Sequence, residues 1–196
     1  MSALISGDTD ALLWSRFKSG QHAALREIYD RHVYSLYQYG RRFCDDTSLV
    51  EDAIHDLFVN IWEKRNTLGD TDTIIGYLCV ALRRDLIKKV KQNQSTIHPS
   101  TDEIPEHFDW SIEDTLLSSE QQNADSVKIE RAMAKLSARQ REAIYLKFFE
   151  EMSYEDICNI MQLNYQSARN LIARAIIELR QSFVSFLILI LILHIL

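Results

Sequence analysis

The sequence predicts an all-α fold: two small helical domains joined by an acidic linker, the second containing a helix-turn-helix. Three observations carry that reading. Only five glycines and two prolines occur among 196 residues, too few for the many tight turns of a sheet-rich fold. Apolar residues recur every three to four positions through most of the chain, which is the period of an α-helix. One segment, 93–124, breaks that period, holds both prolines and carries seven acidic side chains but no lysine or arginine. With 46% apolar and 26% charged residues, the composition excludes a wholly disordered chain, and the length suits one medium or two small domains.

Taken in order, Thr9 to Lys18 forms a short leading helix. A long helix follows between Ala23 and Phe43, where Leu25, Ile28/Tyr29, His32/Val33 and Leu36/Tyr37 mark one face. The next stripe, Leu49/Val50, Ala53/Ile54, Leu57/Phe58 and Ile61/Trp62, is expected to start at Ser48 and Glu51, whose S-x-x-E spacing lets each side chain satisfy an orphan amide. A third helix runs from Thr73 to about Val90. Asn93 to Asn123 reads as an extended tether, yet it carries Ile104, Phe108, Trp110, Ile112, Leu116 and Leu117, more than an inert spacer needs. Docking in a partner's groove and aromatics brushing a domain surface fit it equally.

Helical spacing resumes at Asp125 to Leu136. Ser137 with Gln140 and Ser153 with Asp156 each open a helix, and Asn164 caps another. Ser153–Met161, a turn at Gln162–Asn164, and Tyr165–Leu179 have the arrangement of a helix-turn-helix, with Ile157, Ile160, Leu163, Ala168, Leu171, Ile172 and Ala175 as its joint core. A plain helical hairpin fits the same spacing. Cys158 is read as a small apolar packing residue. Tyr165, Gln166, Ser167, Arg169, Asn170 and Arg174 are left outward, side-chain types that reach base edges or phosphates.

Charge and cysteine usage bound the function. The net charge of −6 falls in the middle segment, because residues 1–92 hold 13 basic and 13 acidic side chains and residues 125–196 hold nine and eight. Thr71 to Gln92 is locally +3, with Arg83, Arg84, Lys88, Lys89 and Lys91 against Asp72 and Asp85. An acidic total therefore does not exclude nucleic acid. Cys44, Cys79 and Cys158 form no C-x-x-C pair, so neither a disulfide framework nor a zinc finger is signalled. The six histidines are scattered, and no Gly-rich phosphate loop or nucleophile motif occurs. No enzyme and no cofactor are expected. Asp8, Asp10, Arg16 and Lys18 interrupt the first twenty residues, which a secretory signal would not tolerate, so a cytoplasmic amino terminus is expected.

Two stretches resemble a known family. LSARQREAIYLKFFEEMSYEDICNIMQLNYQSARNLIARAIIELR, Leu136 to Arg180, is similar to region four of bacterial sigma factors of the extracytoplasmic-function group. EDAIHDLFVNIWEKR, Glu51 to Arg65, is similar to their region two, and TIIGYLCVALRRDLIKKVKQ to its continuation. The resemblance covers about Leu12 to Ser182 and implies a subunit that binds core RNA polymerase, reads and opens the minus ten element with region two, and reads the minus thirty-five element with region four. With the composition, it leads to an expected region two-like domain at 1–92, an acidic linker at 93–124, a region four-like domain at 125–182 and a hydrophobic tail at 183–196. It also implies an anti-sigma factor as a partner, besides polymerase and promoter DNA.

Position by position, Asp52, His55 and Asp56 match the face that meets the polymerase clamp helices, while Phe58 and Trp62 nearby read better as core. The loop Asn66 to Thr73 matches a pocket for a flipped base, supplied here by Asn66, Thr67, Asp70 and Thr71. Arg83, Arg84, Lys88, Lys89 and Lys91 are directed to phosphates, and Tyr77 stands where many relatives have tryptophan. Glu151 and Gln162 stand where relatives often have glycine, so a positive φ there would cost roughly 1 kcal/mol. Two other readings remain at this point, a helix-turn-helix regulator acting without polymerase and a membrane-peripheral interaction protein. The second rests on Phe183 to Leu196, a run with no charge. As a helix it spans about 21 Å, short of the ~30 Å hydrocarbon core. It is expected to dock on this protein or a regulator, with membrane association as the rival.

Overall fold

Most helices of this chain begin where a side chain accepts from an amide that the first turn leaves open. A computed structural model describes residues 9–95, 107–110 and 129–195, with side chains at 9–92, 107–110 and 129–181. The helices are α1 (Asp10–Lys18), α2 (His22–Arg41), α3 (Thr47–Lys64), α4 (Ile74–Ser95), α5 (Ala138–Phe148), α6 (Tyr154–Met161) and α7 (Tyr165–Ile195), and residues 129–133 are also helical. A 3-10 turn, Arg65–Thr67, follows α3. No strand occurs among the described residues, and the all-α reading holds. Contacts divide the chain into two units, residues 1–101 and 102–196.

In the first unit, α1 packs on α2 and α4, and α2, α3 and α4 pack on one another. Leu13, Trp14, Phe17, Ile28, Leu36 and Leu82 are among the side chains that fill the core. α2 packs tightly on α3 at Gly40, where a Cβ would lie 2.7 Å from Val50 Cγ1. One expectation fails here. α3 starts at Thr47, and its cap is the Asp46 carboxylate, which accepts from the Leu49 amide at 3.1 Å. A carboxylate two residues before the predicted pair reaches the orphan donor first, so Ser48 lies inside the helix.

The second unit keeps its predicted starts. Ser137 and Gln140 form a capping box, Ser153 accepts from the Asp156 amide at 3.1 Å, and Asn164 Oδ1 accepts from the Ser167 amide at 2.8 Å. Glu151 and Gln162 both adopt positive φ, 51° and 54°, so the turns keep a left-handed geometry without glycine. Phe108 and Trp110 are buried beside α5, which places this piece of the linker on the second unit. Trp110 meets Phe149 edge-on at 4.8 Å between ring centroids, and Arg141 Nε donates to the Phe108 carbonyl at 2.6 Å. Ile104, Ile112, Leu116, Leu117 and Asp125 to Lys128 lie outside the described residues. α7 continues through Ile195, and the expected docking of Phe183 to Leu196 falls on side chains outside the described residues. Among the described residues no helix is long and apolar enough to cross a membrane.

Candidate nucleic-acid interface

On α3, helical geometry divides the residues matched to the polymerase face. Asp52, His55 and Asp56 are all exposed, while Ala53, Ile54, Leu57 and Phe58 turn into the core. His55 lines a groove of about 400 Å³ between α2 and α3, with Leu25, Tyr29, Phe58, Val59 and Trp62. Its walls are aromatic: Tyr29 meets Phe58 edge-on at 4.9 Å, His22 lies 4.4 Å from Trp62, and the Arg65 guanidinium lies 4.4 Å from the same ring. Phe58 is buried, as expected of a core residue, whereas Trp62 is half-buried and forms part of this surface. Asp56 turns the other way, towards α4, and Lys89 Nζ donates to its Oδ2 at 2.8 Å. That bond and the ammonium charge hold the Asp56 carboxyl below the usual range.

The loop after α3 is tied down by the leading helix. Trp14 Nε1 donates to the Gly69 carbonyl at 2.9 Å, Lys18 pairs with Asp70 at 2.6 Å, and Asp10 Oδ2 accepts from the Ile74 amide at 2.8 Å, capping α4 from 64 residues away. The Thr71 hydroxyl donates to the Thr73 carbonyl and accepts from the Thr73 amide. Thr67 donates to the Lys64 carbonyl, and Asn66 is exposed. Several polar groups expected to line a base pocket are thus engaged in shaping the loop. Beside it, between α3 and α4, lies a recess of about 220 Å³ lined by Asn60, Lys64, Leu68, Tyr77, Asp56 and Asp85 among others. Asn60 and Lys64 escaped the sequence reading because their role depends on α4 crossing α3. Tyr77 meets Trp14 at a tilt, 5.0 Å between ring centroids, and burial pushes its phenol above the ordinary value.

The basic cluster on α4 is not one face. Arg83 is buried, 4% exposed, which corrects its assignment to phosphate. It lies four residues after Cys79 and three before Leu86, both buried, so the helical period carries it inward. Arg84 and Lys88 are exposed and Lys91 half-buried, spaced at i, i+4 and i+7 along one stripe. Lys89 is half-buried and paired with Asp56 and with Asp85, at 2.8 and 2.9 Å. Burial works against its ammonium, but bonds to the two carboxylates outweigh that and raise it above the ordinary lysine value.

In the second unit, Ile157, Ile160, Ala168, Ile172 and Ala175 are buried between α6 and α7, and Leu163 and Leu171 are half-buried. The Leu163 amide donates to the Cys158 carbonyl at 3.0 Å and closes the turn. Burial raises the Cys158 thiol, with help from Glu155, which suits packing rather than thiolate chemistry. Tyr165, Gln166, Arg169, Asn170 and Arg174 are exposed on α7, and Ser167 is half-buried. Gln166 Nε2 donates to Asn170 Oδ1 at 2.9 Å, and the Arg169 guanidinium lies 6.0 Å from the Tyr165 ring centroid. One helix therefore presents amide, guanidinium and phenol groups along an open surface, the chemistry of base-edge and phosphate contact.

Comparison with known proteins agrees with this arrangement. The family described as Sigma-70, region 4 matches residues 126–179. The chain is 23% identical over 166 residues to the ECF RNA polymerase sigma factor SigL of Mycobacterium tuberculosis, covering 83% of this chain and 90% of that one. It is 22% identical over 153 residues to the ECF RNA polymerase sigma factor SigM of Bacillus subtilis, covering 76% and 88%. Its fold matches the sigma factor RpoE of Bartonella quintana, solved with the anti-sigma factor NepR, at a TM-score of 0.58 and 19% identity over 81% of this chain and 95% of that one. It also matches CnrH, solved with the cytosolic domain of CnrY, at 0.60 and 18% over 91% and 99%. A helix-turn-helix with an open polar face, preceded by a four-helix unit and similar over most of its length to these relatives, supports a sigma factor of the extracytoplasmic-function group.

Proposed function

We propose that this chain directs core RNA polymerase to promoters as a DNA-binding subunit that is not itself an enzyme, its first unit meeting polymerase and the minus ten element and its second reading the minus thirty-five element. The observation that carries this is the exposed face of α7, where Tyr165, Gln166, Arg169, Asn170 and Arg174 lie within the region 4 match. Asp52 and His55, with the apolar groove beside them, supply the polymerase surface, and Asp56 joins it from the α4 side. Arg84, Lys88 and Lys91 supply phosphate contacts, which position the subunit without reading sequence. The loop 66–71 and the recess at Asn60, Lys64 and Tyr77 supply the polar, shaped surroundings that an extruded base requires.

Functional boundaries follow at 1–92, 93–124, 125–182 and 183–196, with Phe108 and Trp110 attached to the second unit. The protein works in the cytoplasm with polymerase and promoter DNA, and an anti-sigma factor restrains it, by analogy with the complex described for the Bartonella protein. Reconstitution with core polymerase on a promoter library tests the reading. Transcripts from a small set of sequences sharing two elements are expected. Failure to associate with core polymerase would overturn it.

A further inference from the structure

The face of α4 turned towards α3 carries Tyr77, Ala81, Asp85 and Lys89 at successive helical turns, the first three lining the recess. Lys89 Nζ lies 2.8 Å from Asp56 Oδ2 on α3 and 2.9 Å from Asp85 Oδ2 on its own helix, with side-chain exposures of 25%, 56% and 36%. One ammonium between two carboxylates leaves a local excess of negative charge. A phosphate approaching Lys89 meets both carboxylates as well as the cation, unlike one approaching the exposed Arg84 and Lys88. Ion pairs this open to solvent are weak and exchange readily, which suits a contact that is to be released.

We propose that Asp85 is a positioning residue that, with Asp56, withholds Lys89 from DNA in the free subunit, so that engagement of Asp56 by polymerase makes Lys89 available to a phosphate. This rests on the function proposed above, in which Asp56 faces polymerase and α4 faces DNA. The coupling is reciprocal: whatever polymerase binding adds to DNA affinity through Lys89, DNA adds to polymerase binding.

The test is the salt dependence of binding of the full chain to a fluorescent DNA duplex of arbitrary sequence. Asp85→Asn is expected to bind more tightly than the parent, with a log–log salt slope steeper by about 0.9, one further phosphate neutralised. The gain should therefore shrink about threefold when salt rises fourfold. It should vanish in the Lys89→Ala background, Asp85→Glu should keep the parental slope, and the gain should be smaller in the holoenzyme. No gain, or an equal gain with and without Lys89, would overturn the proposal, because the second result is general charge removal. An equal gain in free chain and holoenzyme would overturn the coupling to polymerase. Assembly of the parent chain with core polymerase, scored separately, tests the underlying functional reading.

Discussion

His32 is half-buried on α2, and its Nε2 is buried without a hydrogen-bond partner. Burial lowers its pKa from the ordinary 6.5, with Asp10 opposing and Arg31 assisting. The folded chain thus binds this proton less readily than the unfolded chain, and below 6.5, down to the folded value, the unfolded state carries more protons. Stability rises with pH through that window and falls on acidification. His32→Gln should flatten this part of the pH dependence, read as the urea midpoint from pH 6.5 downward. An unchanged slope would show that other groups set it. Gln162, at φ 54°, is a second residue-scale case. A side chain in the left-handed region costs about 1–2 kcal/mol, and glycine's extra freedom in the unfolded chain offsets part of any relief. Gln162→Gly should therefore stabilise the protein by roughly 0.5–1 kcal/mol in chemical denaturation. On the outward side of the same domain, Arg169→Ala should weaken the upstream footprint of the holoenzyme while leaving its assembly intact. An unchanged footprint would remove Arg169 from the DNA surface.

Among the elements, residues 107–110 matter more than their place in a linker suggests. Phe108 packs 5.9 Å from the Tyr145 ring and Trp110 4.8 Å from Phe149, while Tyr145 and Phe149 stack with planes 7° apart. Truncating a buried large aromatic costs about 3–5 kcal/mol. Trp110 sits at the edge of this cluster, next to the exposed Phe149, so Trp110→Ala should cost about 2–3 kcal/mol. The loss should appear in the unfolding of the second unit, with the first unit's transition unmoved. Equal loss in both would mean that the segment serves the whole chain. The side-chain caps of the second unit were legible because each partner lies three residues away. The cap of α4 was not, since its acceptor is Asp10, 64 residues earlier.

For the molecule as a whole, the net charge of −6 conceals basic surfaces on both units. Reversing Asp52 and Asp56 to lysine should abolish or strongly weaken assembly with core polymerase while circular dichroism stays helical. Undiminished capture of polymerase by that variant would displace this face from the interface. Free Asp56 is also the partner of Lys89, so comparison with the single Asp52→Lys variant separates loss of the polymerase contact from loss of the internal pair.

Period and spacing determined the helices, the helix-turn-helix and the outward set on α7, because these depend on residues at most a few turns apart. The resemblance of Leu136 to Arg180 then added their meaning. Tertiary structure alone decided which residues of the basic cluster are available. Arg83 and Arg84 are neighbours in sequence, but a 100° step on α4 buries one and exposes the other. Lys89 finds Asp56 across 33 residues, and Asp70 and Thr71 are engaged by Lys18 and the α4 start. A linear pattern records the type of a side chain and its helical phase. Which partner neutralises its charge or takes its hydrogen bond depends on how distant helices cross, and that is fixed only when the core packs.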